Sequence, residues 1–213
     1  MKRLSNILLL AAAALGLTVS GCGAGLWEYK QGETPSHIGT VKLIPVYLDN
    51  NFSVEEETAL KEAITEWNGV FNGQIVIRVD GTFDGKEGIK PKLLSSYVRS
   101  EGWNIIALES TDSAVADEIE PGDGNLAFAE IRGHYMVVLT DRIGMRNLKV
   151  IAMHEMGHLL GAYHVNLHSL MYPHYGLIKD AVQCIDKITV AQVATVQNLN
   201  LNTLNYCVTP DFK

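Results

Sequence analysis

The sequence is short of positive charge: 17 Lys and Arg stand against 24 Asp and Glu in 213 residues, a formal net charge of −7. With no basic stripe present, nucleic acid and an anionic lipid surface are excluded as partners. Spanning segments are lacking too, because the apolar run from Ile7 to Leu17 falls short of the ~20 residues that cross a bilayer. No internal repeat is visible. Cysteine is scarce, at three residues, which leaves room for a single disulfide. What the chain does have is apolar content of 47%, enough at this length for one good-sized core, so one folded domain is expected.

The first residues read as an export signal. Lys2 and Arg3 give a positive start, Ile7 to Leu17 an apolar run, and Leu17 to Cys22 a processing site of small residues. Val19-Ser20-Gly21-Cys22 resembles the lipobox of bacterial lipoproteins, which implies that residues 1–21 are removed and that Cys22 is lipidated. Gly23 at the next position resembles lipoproteins sorted to an outer membrane, where the cell has two membranes. The membrane is then a partner through the lipid alone. Residues 22–40 carry Gly, Pro and Ser and suit a tether, leaving 41–213 as the folded domain. With Cys22 assigned, Cys184 and Cys207 remain as an exported pair and are expected to form a disulfide.

Val41 to Leu48 reads as a strand, and Pro45 within it argues for an edge or irregular position. Ser53 and Glu56 have capping-box spacing, and Ala59, Leu60, Ala63, Ile64 and Trp67 recur on one face of the helix that follows. Gln74 to Val79 and Trp103 to Leu108 read as strands, the second largely buried. Glu109 to Asn125 is acidic and ends in Pro121-Gly122-Asp123-Gly124, a surface loop. Calcium there is conceivable but unsupported, since the regular EF-hand ligand spacing is absent. Leu126 to Glu130 and Gly133 to Thr140 are strand-like around a turn. Asn147 caps a helix that Gly161 ends near Leu160, and Thr189 with Gln192 has the spacing of a last capping box. Strands first and helices later give the class α+β.

Residues 154 to 164 read His-Glu-Met-Gly-His-Leu-Leu-Gly-Ala-Tyr-His. Two histidines four apart share a helical face and can converge on one zinc ion. Glu155, about 100° further round, flanks the metal without a coordination position. A continued helix would carry His164 about 15 Å along the axis from His154, too far to share an ion. The chain must therefore turn back, and Gly161 is the residue that permits it. Three neutral imidazoles leave a position for water, Glu155 takes its proton, and the leaving amine receives that proton: amide hydrolysis without a covalent intermediate. The required glycine and third histidine cut accidental matches several-hundredfold. His168 and His174 lie close in sequence and are alternative candidates for the ligand set, but they read, like His37 and His134, as surface or pocket-rim histidines.

These residues match the zinc signature of the metzincin metallopeptidases, and Leu170-Met171-Tyr172-Pro173-His174-Tyr175 resembles the Met-turn segment of the matrixin branch. The resemblance implies that Met171 lies beneath the metal without binding it and that Pro173 and Tyr175 wall the substrate pocket. Glu66-Trp67-Asn68 fits the same branch more weakly. Leu126-Ala127-Phe128-Ala129 resembles a matrixin stretch at the strand edge where an extended peptide pairs, which places Ala127 and Phe128 at the pocket. Phe128 stands where matrixins commonly carry a histidine for a structural zinc, so one zinc is expected. The resemblance covers about residues 41 to 205 and is specific over 154 to 175.

The expected function is thus a monomeric zinc endopeptidase acting on extended peptides or proteins. The alternative is a zinc-stabilised binding lipoprotein that lost turnover. Retention of Glu155 beside the ligands separates the two in favour of the enzyme.

Overall fold

The computed structural model describes residues 28–35, 40–85, 102–111, 124–166, 168–174 and 182–208. Its strands are β1 (Glu28–Lys30), β2 (Lys42–Asp49), β3 (Ile75–Phe83), β4 (Trp103–Leu108), β5 (Ala127–Ala129), β6 (Tyr135–Leu139) and β7 (Tyr206–Val208). Its helices are α1 (Val54–Phe71), α2 (Thr140–Ile143), α3 (Leu148–Leu160) and α4 (Lys187–Gln197). The class is α+β: a five-stranded mixed sheet, ordered β3-β2-β4-β6-β5, in which β5 alone runs antiparallel to its neighbour.

The start of α1 follows from its capping box. The Ser53 hydroxyl accepts from the Glu56 N–H at 3.2 Å, and the Glu56 carboxylate accepts from the Ser53 N–H at 2.8 Å. Glu55, Glu56 and Glu57 in its first turn suit the positive end of the helix dipole. Leu60, Ala63, Ile64 and Trp67 are buried on one face. The Glu66-Trp67-Asn68 segment then fastens α1 on two sides. Glu66 pairs with Lys149 of α3 at 2.6 Å, the Trp67 indole N–H donates to the Met153 carbonyl at 3.1 Å, and Asn68 exchanges two 2.8 Å hydrogen bonds with Ile77 of β3.

Three sequence expectations need correction. First, β2 is central, flanked by β3 and β4, so the edge position that Pro45 suggested is not taken, while the irregular alternative is met by a register shift between Val46 and Tyr47. The proline is tolerated because β4 joins only from Val46 onward, so at Pro45 one side of the strand is still without a ladder. Gly102 accommodates the close approach there: its φ is +102°, and a Cβ would stand 2.2 Å from the Pro45 carbonyl oxygen. Second, the segment expected as a tether is partly built into the body. Glu28–Lys30 pairs antiparallel with Tyr206–Val208, and the Gly32 N–H donates to the Asn205 side chain at 2.8 Å. Third, the last helix starts at Lys187 and its cap is Asp186, whose carboxylate accepts from the Ile188 and Thr189 N–H groups. The true cap carries a charge and meets two donors, so it outcompetes the Thr189–Gln192 spacing.

One face of the sheet and helices α1 and α3 enclose the main core around Trp67, Phe71, Met153 and Met156. The other face carries Ile106, Leu108, Val137 and Leu139, with Phe128 packed among them. Among the described residues no helix is long and apolar enough to cross a membrane.

Candidate metal centre

Helix α3 opens as its sequence predicts, with the Asn147 side chain accepting from the Val150 N–H. His154 and His158 follow one turn apart. At the far end Gly161 adopts φ +102°, donating its N–H to the His158 carbonyl, while the Ala162 N–H reaches the Gly157 carbonyl, both at 2.8 Å. Glycine is needed here for a second reason: a Cβ would lie 2.7 Å from the Val196 side chain of α4. The Gln192 side chain accepts from the Tyr163 N–H at 2.7 Å and holds the returning segment against α4.

That reversal brings His164 back over the helix. Its Nε2 lies 3.2 Å from Nε2 of His154 and 3.1 Å from Nε2 of His158, and the ligand atoms of all three lie within 4.8 Å of one another. Three ligands on a tetrahedral zinc at 2.0–2.1 Å stand roughly 3.3 Å apart, so the donor set fits that ion. Protonation fits too. Nδ1–H of His154 donates to the Leu170 carbonyl at 2.7 Å and Nδ1–H of His158 to the Ala162 carbonyl at 2.9 Å, leaving each Nε2 lone pair for the metal. Burial, with repulsion from His158, pushes His154 down to about 3. Burial also lowers His158 and His164. All three are therefore neutral near pH 7 and ready to ligate.

Glu155 is buried beside them, 7% exposed, and burial raises its carboxyl from the ordinary value to about 8. It lines a cavity of about 550 Å³ together with the three histidines. Of the expected pocket residues, Ala127, Phe128 and Pro173 line this cavity; Phe128 also packs with the cluster on the opposite sheet face. His168 and His174 line it as well without joining the cluster of three. His134 lies away from it, its ring against the Gly102 carbonyl. Tyr175, Cys22, His37 and most of the acidic 109–125 stretch lie outside the described residues.

Met171 is fully buried, and its sulfur would stand 2.7 Å from a Cβ at Gly157, so the glycine inside the motif lets the Met-turn press against α3. The Met171 carbonyl accepts from the Val165 N–H, joining this turn to the irregular segment that carries His164. Cys184 and Cys207 form a disulfide with Cα atoms 6.3 Å apart.

Sequence reasoning missed Asp186. Only 1% exposed, it caps α4 with Oδ1, while Oδ2 accepts from the Leu170 N–H at 2.7 Å and from the Ser169 and Thr189 hydroxyls at 2.9 and 2.8 Å. Leu170 is the residue whose carbonyl orients His154. The signal was present as an Asp just before a helical run, but Thr189 and Gln192 offered a competing cap.

Fold and site together define a metzincin-like protein with a candidate zinc-binding centre. Among solved structures, the fold is similar to archaemetzincin from Methanopyrus kandleri, with a TM-score of 0.51 over 74% of this chain and 96% of that one, at 12% identity. Residues 48–199, more than two thirds of the sequence, match Peptidase_M10 (Matrixin), and the chain belongs to this family. No curated protein sequence matches it.

Proposed function

We propose that this protein is a zinc-dependent endopeptidase in which His154, His158 and His164 hold one catalytic zinc and Glu155 is the general base. The observation that carries this is the convergence of three neutral imidazole nitrogens beside a buried carboxyl in one cavity. Bound there, zinc supplies Lewis acidity, polarising an amide carbonyl and lowering the pKa of water to about 7. Burial alone keeps Glu155 protonated, and positive charge held by the neighbouring histidines favours its carboxylate. Glu155 then accepts a proton from the attacking water and passes it to the leaving amine nitrogen. The β5 edge, paired among the described residues with β6 on one side only, offers backbone groups to an extended peptide. Membership of the matrixin family supports peptides and proteins as substrates over other amides.

The apolar lining of the cavity, with Leu126, Val150, Ile151 and Pro173, favours a hydrophobic residue after the cut. A peptide-library survey returning charged residues there would sink that part. Export and lipidation at Cys22 complete the proposal, supported by the charged start, apolar run and lipobox-like residues of the leader.

The test is cleavage of an unfolded protein by the soluble chain beginning after Cys22, with zinc, beside Glu155→Ala and a chelated control. The expected result is a loss of kcat by about 10²–10⁴ in Glu155→Ala with zinc retained, and loss of cleavage on chelation. Zinc bound without cleavage of any substrate would favour a binding role, and no bound zinc would overturn the proposal.

A further inference from the structure

We propose that the Cys184–Cys207 disulfide is a redox control on the metal centre, acting through Asp186 as a positioning residue for His154. The inference rests on the zinc-site reading above and adds regulation to it.

The connection is continuous. Cys184 precedes Asp186 by two residues, and the disulfide ties it to β7. The Cys207 N–H donates to the Ile185 carbonyl at 3.0 Å, and Asp186 itself forms a parallel bridge with Cys207. Residues 184 to 186 are therefore fixed to β7 by the covalent bond and by this backbone bridge, of which the Cys207–Ile185 hydrogen bond is part. From Asp186 the path continues through Oδ2 to the Leu170 N–H, and from the Leu170 carbonyl to Nδ1 of His154. Ser169 adds a parallel link, its hydroxyl donating to Asp186 and accepting from the Met171 N–H at 3.2 Å. Each group in this chain is buried or partly buried, so a displaced carboxylate has no solvent to replace the lost partner. Groups that orient a metal-binding imidazole commonly change metal affinity 10- to 100-fold when altered.

The two cysteines differ in exposure. Cys184 is partly exposed whereas Cys207 is fully buried, so a thiolate attacks Cys184 Sγ and Cys207 Sγ leaves. With a dithiol reductant, its second thiol releases the mixed disulfide. Two electrons and two protons pass to the protein, giving two cysteine thiols, and the reductant departs as its own disulfide. The segment bearing Asp186 then loses its covalent tie to β7 and is held by hydrogen bonds and by the packing of Ile185 in the core.

The experiment measures zinc release to a chromogenic chelator, and the visible spectrum of the cobalt-substituted protein, for the full chain. The arms are oxidised protein, protein reduced with a trialkylphosphine, and Asp186→Asn. The phosphine takes up the oxygen of a water as its oxide and does not compete for zinc as a dithiol would. Asp186→Asn keeps an oxygen to cap α4 but turns an amide donor toward the Leu170 N–H, so it breaks the path while sparing the helix. Expected are zinc release about 10-fold faster and an altered cobalt spectrum in both the reduced protein and Asp186→Asn, with helical circular dichroism retained. Unchanged release after reduction or in Asp186→Asn would overturn the inference. So would loss of the circular dichroism signal together with zinc, because the disulfide would then hold the fold and not the site. Failure of the oxidised protein to bind zinc at all would instead remove the metal-site reading on which the inference stands.

Discussion

The two halves of the metal centre are built by different physics. His154, Glu155 and His158 belong to one helix, and the turn of that helix sets their spacing whatever the rest of the chain does. His164 and the Met-turn sit on irregular backbone whose position depends on Gly161, on Gln192 of α4 and on Asp186. The helical half is ordered locally but carries an electrostatic load, a carboxyl buried beside the histidines. The irregular half instead relies on hydrogen bonds from residues distant in sequence, the buried Asp186 carboxylate among them. Damage to the first should register in chemistry and pH response, and damage to the second in metal retention.

The largest effect expected from this contrast is in Glu155→Gln. Burial lifts the folded pKa of Glu155 to about 8 from an ordinary value near 4.5, so the unfolded chain ionises first as pH rises. Stability of the metal-free protein is then full below pH 4.5 and falls until about pH 8. Removing the ionisable group should make the metal-free variant more stable than the parent by roughly 2–4 kcal/mol at pH 8, with no gap below pH 4.5. Thermal unfolding across pH with chelator present measures it, and a pH-independent gap would contradict the assigned cause. Next in size is Gly161→Ala, which forces a side chain into φ +102° and against Val196. A destabilisation of about 1–3 kcal/mol is expected, with weaker zinc retention as His164 moves. Zinc competition would show whether the irregular half alone is affected. Smallest is Gln192→Ala, which removes the acceptor for the Tyr163 N–H and should cost about 1 kcal/mol. Denaturant unfolding checks it, and equal losses in Gln192→Ala and Glu155→Ala would erase the distinction between the halves.

The same division explains what was legible in the sequence. Capping of α1 by Ser53, capping of α3 by Asn147, its end at Gly161 and the histidine spacing are all local, and each was readable from residues within a few positions. The central place of β2 was not, because Pro45 is rescued by where β4 begins, far along the chain. Asp186 was hidden for a similar reason: its importance lies in Ser169 and Leu170, which no helical or strand periodicity connects to it. The disulfide pairing was readable by elimination, but the attachment of Glu28–Lys30 beside it was not.

That attachment sets an order of events. Gly32 and Asn205 are 173 residues apart in sequence, so the first part of the described body to be synthesised must wait for nearly the last before it can pair. A loop of that length closes late, after nearer contacts have paid down the search. Nascent chains will therefore hold the helical histidine pair before β7 arrives to seat Cys207, Asp186 and the Met-turn, and full metal retention should be the final property the molecule acquires as it folds.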